Sequence, residues 1–288
     1  MIAIAAEDAR QFLAEEIRVV ANIRSPRIVE ALATTPRERF LPPGPWQIRG
    51  VGDVGGGPRT TEDADPRHVY HDIAVGIDPA RNLYNGQPSL IARWLDDIAL
   101  DAGQRVIHVG CGTGYFTALI AHVVGASGAV DAMDVDAELA ARASANLSDQ
   151  PWVRVRQGNG TTDLPSDSDA IVVHAGATHV LDVWLDALAD GGRLLLPLTM
   201  EIPGMPAGIG KGFMLLVTRH GDEWSAKVQA TMPVAIYSLK ELRDQELGAA
   251  LGRAMMNGSM MKATRIRRDL HEAGSSCIVH GTTNCLSS

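Results

Sequence analysis

The sequence predicts an α/β fold: a doubly wound, mostly parallel sheet with an antiparallel C-terminal edge, an N-terminal helical cap and a C-terminal helical extension. Three observations carry that prediction. Short apolar runs alternate with helical stretches between residues 105 and 197, the pattern of strand-helix-strand units. A glycine-rich loop, Gly110-Cys111-Gly112-Thr113-Gly114, joins the first of these strands to its helix. His220-Gly221-Asp222 then marks a hairpin between strands near 213–219 and 226–237, which gives the sheet its antiparallel end.

From Glu7 to Ile23, Phe12, Leu13, Ile17 and Val20 recur at helical spacing, and Ser25-Pro26 opens a second helix that runs to Leu32 and stops at Thr35-Pro36. Residues 42–67 are rich in glycine, proline and acids, with few apolar anchors, and read as a long mobile loop. Such a loop serves as a lid or only as a connection, and Trp46 within it is a candidate to close over a substrate. A helix is expected over 89–100. The alternation follows as strand 105–109, helix 115–124, strand 129–134, helix 137–147, strands 153–156 and 169–174, helix 179–189 and strand 193–197. Residues 240–271 read as helical, with Met255, Met256, Met260 and Met261 as core or interface filler. The closing segment IVHGTTNCLSS reads as a strand or edge cover that packs on the core or makes a homo-oligomer contact. The expected division is 1–68 for the cap and loop, 69–240 for the core and 241–288 for the extension.

At 288 residues, 45% apolar and 21% charged, the chain is long enough for a sizeable core without staples. A net charge of −8 argues against a general nucleic-acid surface, and the basic run Lys262 to Arg268 reads as a solvated helix face. Cys111, Cys277 and Cys285 have no C-x-x-C and no metal-type spacing, so neither a metal site nor a disulfide framework is expected. Acids stand where a signal peptide carries lysines, and no apolar run is long enough to span a membrane, so a cytoplasmic protein without membrane or nucleic-acid partners is expected.

Gly110, Gly112 and Gly114 follow a strand and precede a helix, where the carboxyl edge of a parallel sheet forms a ligand crevice. Their G-x-G-x-G spacing lacks the last glycine of a dinucleotide fingerprint, because Tyr115 holds that place, and no Gly-Lys-Ser/Thr follows for a phosphate loop. Asp134, at the tip of the second strand, suits ribose hydroxyls, and Asn159 in Gly158-Asn159-Gly160, after the third strand, suits an adenine edge. Together with Cys111, Tyr115 and Gly160 these residues form a candidate site for S-adenosylmethionine rather than a nicotinamide.

Over most of residues 10–240 the chain resembles the protein-L-isoaspartate O-methyltransferase family. Pro36-Arg37-Glu38-Arg39-Phe40-Leu41-Pro42, Tyr70-His71-Asp72, VGCGTGYFTALIA, GAVDAMDVDAELAARASANL, DAIVVHAG and LADGGRLLLPL carry the likeness in order. The resemblance implies a Rossmann-like class I methyltransferase fold and S-adenosyl-L-methionine as cofactor. GNG stands where the family has glycine-aspartate-glycine. Tyr84-Asn85-Gly86-Gln87-Pro88 matches the segment in which the family's serine meets the reacting carboxylate, and Gly86 takes the serine position.

That departure directs the leading expectation to a small-molecule acceptor, such as a secondary metabolite with an aromatic or indole group, or to a modified peptide. Carboxyl methylation of isoaspartyl protein is the alternative, and a noncatalytic cofactor-binding scaffold the third reading. An amine, phenol or carbon acceptor needs a base, whereas a carboxylate does not. His174, at the end of the fourth strand, is therefore the first catalytic candidate, with Tyr84 and Asn85 as an aromatic wall and an amide donor in the rebuilt segment. His179, Tyr70 and His71 are further possible contacts, while His108, where methyltransferases often carry an acid, reads as a buried structural group.

Overall fold

Apolar periodicity and turn chemistry place the elements close to where the sequence predicts them. The computed structural model describes residues 5–50, 57–201, 209–229, 234–237 and 240–288. In chain order these are α1 (Ala6–Val20), α2 (Pro26–Thr34), β1 (Gln47–Arg49), β2 (Arg59–Thr60), β3 (Ala74–Asp78), β4 (Leu83–Asn85) and α3 (Pro88–Asp97). Then come β5 (Arg105–Val109), α4 (Tyr115–Val124), β6 (Ala129–Asp134), α5 (Ala137–Asn146), β7 (Val153–Gln157), β8 (Ser168–Val173) and α6 (Asp182–Ala187). The chain continues with β9 (Leu188–Glu201), β10 (Ile209–His220), β11 (Glu223–Val228), β12 (Val234–Tyr237), α7 (Gln245–Met256), β13 (Arg265–Arg267), β14 (Cys277–His280) and β15 (Cys285–Ser287).

The chain forms two compact units. The first comprises Met1–Gly103 and Cys111–Gln157. Leu13, Ala14 and Ile17 give α1 its buried stripe against α2, whose first turn is preset by Pro26. The buried Asp96 carboxylate at the end of α3 accepts from the backbone nitrogens of Arg24 (3.1 Å) and Ser25 (2.8 Å), which fixes the start of α2. Helix α4 is apolar on nearly every side and correspondingly buried. Strands β6 and β7 pair in parallel from Val130↔Val153 to Asp134↔Gln157. A separate antiparallel sheet runs β2-β1-β3-β4.

The second unit comprises Gln104–Gly110 and Gly158–Ser288. Its strands run β14-β15-β13-β11-β10-β9-β8-β5, with β12 also on β10. The pairs β5/β8 and β8/β9 are parallel, and those from β9 outward are antiparallel. The predicted class, a mostly parallel α/β core with an antiparallel edge, is the observed one.

Four expectations change. Residues 42–67 are not a long structureless loop: β1 and β2 pair within them, and Trp46 is buried with Leu41, Ile48, Val69, Val75 and Leu139, its Nε1 donating to the Pro42 carbonyl at 2.7 Å. Trp46 is a core residue of the small sheet and no lid; residues 51–56 of that segment lie outside the described residues. The helix expected over 179–189 contracts to α6, because Leu188 enters the parallel ladder opposite Ser168. The strand expected over 226–237 is two strands, β11 and β12, with residues 230–233 outside the described residues. The helix expected over 240–271 ends at Met256, and Arg265–Arg267 is a strand, since Ile266 buries its side chain opposite Trp224.

Of the four methionines in this region, Met260 is buried while Met256 and Met261 are exposed. The basic run is partly neutralised on the spot: Arg267 pairs with Asp269, and Arg268 pairs with Asp186 at 2.6 Å while stacking over Trp224. Among the described residues no helix is long and apolar enough to cross a membrane.

Candidate active site

The turn after β5 needs glycine. Gly110, Gly112 and Gly114 have φ of +78°, +56° and +96°, the left-handed region in which a side chain is strained. At Gly114 a Cβ would also approach Leu147 Cδ1 to 3.0 Å, so α4 starts tight against the α5 side of the unit. Within this unit the Gly112 nitrogen donates to Asp134 Oδ2 at 2.8 Å, and the Asp136 nitrogen donates to Oδ1 at 3.0 Å. Each oxygen retains acceptor capacity for a hydroxyl. Burial raises the Asp134 pKa, and the two backbone donors oppose that shift. The carboxylate is therefore preorganised at the strand tip, and the group fits a ribose.

Cys111 is buried, its nitrogen donating to the Met133 carbonyl at 3.0 Å, and burial pushes the thiol pKa far up. It packs the loop and is no nucleophile. Tyr115 also lies inside, edge-on to Phe40 and Phe116 at centroid distances of 5.7 and 5.1 Å, so it supports the loop from beneath.

In the second unit, Gly160 has φ +68° and its ideal Cβ would fall 2.5 Å from Val109 Cγ1. Only glycine lets the turn after β7 close on β5, and the Gly160 carbonyl is held by Trp184 Nε1 at 2.8 Å. Asn159 Oδ1 accepts from Thr161 nitrogen (3.1 Å) and Oγ1 (2.8 Å), a local turn that sets the amide plane.

His174 follows β8, its backbone nitrogen donating to the Val109 carbonyl at 2.8 Å. Its Nδ1 lies 2.9 Å from Nε2 of His108, a fully buried residue of β5, and the rings meet edge to face. His174 is partly exposed, but its Nε2 is shielded from solvent. Burial lowers the His174 pKa to about 4, and burial together with the neighbouring imidazole drives that of His108 well down. Both rings are neutral at pH 7, which leaves His174 a weak base. His179 is half-buried, with Nδ1 3.0 Å from Thr178 Oγ1, and burial lowers its pKa as well.

The other residues expected to meet the acceptor, all in the first unit, are engaged in structure. Asn85 is buried and its Oδ1 accepts from Arg37 Nη2 at 3.0 Å. The Tyr84 ring lies under the Arg49 guanidinium, 4.4 Å from its centroid, and its hydroxyl reaches Gln47 Oε1 at 3.4 Å. Tyr70 is buried with its hydroxyl donating to Glu38, and burial and that contact push its pKa strongly up. His71 is exposed. Tyr84 and Asn85 thus hold the segment in shape, which differs from the wall-and-donor role expected of them.

The organising residue is one to which the sequence reading gave no role. Arg37 is completely buried and donates to the carbonyls of Val69 (3.1 Å), Ile73 (2.9 Å) and Gly86 (3.0 Å) as well as to Asn85. Burial lowers its pKa to about 10, so it stays charged at neutrality, solvated by carbonyl oxygens. Asp72 completes the frame, accepting from Ser89 nitrogen (2.8 Å) and Oγ (2.6 Å) and Gln87 Nε2 (2.7 Å) at the start of α3. Between two further charges in Pro36-Arg37-Glu38-Arg39, nothing local singled out Arg37, since its partners are 32 or more residues away in the chain.

A glycine turn after the first parallel strand and an acid at the tip of the next, on a mostly parallel α/β core, fit the class I methyltransferase type, with S-adenosylmethionine as its cofactor. A family model described as Protein-L-isoaspartate(D-aspartate) O-methyltransferase (PCMT) matches residues 60–205. The chain belongs to this family. It is 31% identical over 199 residues to Protein-L-isoaspartate O-methyltransferase 1 of Rhodopseudomonas palustris, covering 66% of this chain and 72% of the relative. It is 28% identical over 211 residues to a protein-L-isoaspartate O-methyltransferase of Shewanella amazonensis, covering 72% of this chain and 84% of that one. Two solved structures share the fold. A protein-L-isoaspartate O-methyltransferase superposes with a TM-score of 0.63 at 24% identity over 86% of this chain and 69% of its own. A putative Plasmodium falciparum homologue, solved with S-adenosyl-L-homocysteine, gives 0.60 at 18% over 81% and 98%.

Proposed function

We propose that this protein methylates a side-chain carboxylate of a peptide or protein, of the isoaspartyl type. The relatives above all bear that activity in their names, and they weigh against the small-molecule acceptor expected from Gly86 alone. The observation that carries the reading on the chain itself is the state of His174. With Nδ1 against His108, Nε2 shielded from solvent and a pKa lowered to about 4, it is a weak base poorly suited to deprotonate an amine or a phenol, whereas a carboxylate arrives with its charge and needs no base.

S-adenosylmethionine, when bound, supplies a methyl electrophile together with its own leaving group. The residues proposed to hold it are Gly110, Cys111, Gly112 and Gly114 through their main chain, Asp134 at the ribose, and Asn159 and Gly160 at the base, with Tyr115 as support. Arg37 fixes the acceptor segment from Val69 to Gly86, so that its backbone is set before a peptide arrives. Gly86 has no hydroxyl to offer, and backbone amides of this segment take that part. In this division of labour residues 1–68 act as the substrate-side cap.

The test is incubation with methyl-labelled S-adenosylmethionine and an isoaspartyl peptide beside its aspartyl control. Base-labile label that depends on the isoaspartyl linkage is the expected result. Confirmed cofactor binding with no label on either peptide, and stable label on an indole, phenol or amine, would return the small-molecule reading.

A further inference from the structure

We infer that the C-terminal extension holds a structural metal ion of the zinc type, bound by His271, Cys277, His280 and Cys285. One ligand atom from each of these residues falls within 4.8 Å of the other three. Four such atoms around zinc stand roughly 3.3–3.8 Å apart in a tetrahedron, so a small contraction of the cluster closes the shell. Two thiolates and two imidazoles match the charge and softness of zinc, and a closed set of four protein ligands is the structural type rather than the catalytic one.

The cysteines by themselves, eight residues apart, have no metal-type spacing. The fold supplies the missing ligands. Cys277 opens β14 and His280 closes it, and the register irregularity between Cys277 and Val279 lets residues three apart share a face. His280 stands directly opposite Cys285 on β15, and Cys285 is fully buried.

Two details go beyond proximity. The His271 Nδ1 donates to the Asp269 carbonyl at 2.8 Å, which fixes the tautomer and turns Nε2 toward Cys277 Sγ, 3.5 Å away. That is the orientation an outer carbonyl gives a metal-bound histidine. His280 Nδ1 is shielded from solvent and, among the described residues, has no hydrogen-bond partner. In addition, the Gly274 nitrogen donates to Cys277 Sγ at 3.3 Å, a contact that favours a thiolate.

A disulfide between Cys277 and Cys285 would use neither histidine. The hairpin joins the sheet through β13, and of its core-facing residues only Val279 and Leu286 are large and apolar. What the metal secures is the 281–284 turn, where Asn284 Nδ2 donates to the Val180 carbonyl and Asp182 Oδ1, both at 3.1 Å. The metal thereby braces the connection between β8 and α6, at Val180 and Asp182.

The experiment is metal analysis of the full chain purified under reducing conditions without chelator, followed by cobalt replacement. The expected result is close to one zinc per chain, a cobalt spectrum with thiolate charge-transfer bands, and a thermal midpoint that falls by several degrees on chelation and recovers with zinc. Cys277→Ser and His280→Gln should each lose the ion and that zinc-dependent shift, whereas Cys111→Ser should keep both. Should a variant fail to fold, thiol titration of the intact protein decides: two thiols that become reactive only when zinc is removed support the site, with the buried Cys111 unreactive throughout. No bound metal, no cobalt charge transfer, or a Cys277–Cys285 disulfide in the protein as isolated overturns it.

Discussion

His108 and His174 stand ring to ring inside the second unit, Nε2 to Nδ1 at 2.9 Å, one on a central strand and the other just past the end of its neighbour. One imidazole must donate and the other accept, so the contact is satisfied only when both are neutral or one alone is protonated. A pair of this kind stabilises at neutral pH and becomes a liability in acid.

The direction follows from linkage. His174 has a folded pKa of about 4 against an ordinary value of 6.5, so between those values the unfolded chain binds more protons than the folded one. Stability is complete above the unfolded pKa and is lost as pH falls through that window, by up to roughly 3 kcal/mol from this group. Denaturant titrations across the window check this. His174→Gln should cost stability at neutrality yet flatten the acid slope, and leave the pH profile of kcat on a carboxylate acceptor unchanged; a lost alkaline plateau in kcat would make His174 a base after all.

Arg37 is predicted to be irreplaceable by lysine. Its fork reaches carbonyls on Val69, Ile73 and Gly86 at once, which a point-charge ammonium cannot do. Arg37→Lys should destabilise by about 2–4 kcal/mol, because buried carbonyls lose partners. Urea midpoints measure the loss, and a change under about 0.5 kcal/mol would show that the frame is dispensable.

Gly86 has an ordinary φ, and a Cβ there would lie 3.3 Å from Ile91 Cδ1 and Cγ1, a tight contact that a small local shift relieves. Gly86→Ser should therefore fold with a change within about 1 kcal/mol. Under the proposed function it should raise kcat/KM for an isoaspartyl peptide. Unchanged turnover in a folded variant would mean that the hydroxyl has no part in this site.

Removing the Asp134 carboxylate takes away a charged acceptor aligned by Gly112 and Asp136. Asp134→Ala should weaken S-adenosylmethionine binding about 10- to 100-fold, the range for hydrogen bonds to a charged group. Calorimetry on the folded variant gives the answer, and undiminished affinity would move the ribose elsewhere.

Gly160→Ala is expected to be costly for a reason unrelated to any ligand. The added methyl would meet Val109 at 2.5 Å, at a backbone φ of +68°. Overpacking and backbone strain together should cost about 2–4 kcal/mol, read as a lowered thermal midpoint.

Much of this molecule was legible in one dimension. β5, α4 and β6 start and stop at the residues expected, because apolar period, glycine turns and Asp136 at the start of α5 are local signals. The glycine turn and the acid at the next strand tip were equally visible, since a positive φ at three alternate glycines and an acid at a strand tip are properties of short segments. Trp46 was misplaced because its partners, Val69, Val75 and Leu139, arrive from later segments, so a stretch poor in apolar residues still owns a core. The helical pattern past Met256 yielded to a strand pairing with β11 for the same reason.

The chemistry of individual side chains was decided only by tertiary structure. Whether His174 is a base depends on its distance from His108, 66 residues away, and on burial that no window of sequence reports. Arg37 acquires its role from carbonyls it meets after folding, and two well-separated cysteines become half of a metal shell only because a bulged hairpin and a preceding turn bring two histidines beside them. The sequence by itself determined the fold class, the family and the cofactor, all written in local patterns. Charge state, orientation and ligand sets depend on desolvation and on contacts across the chain, and those exist only once it has folded.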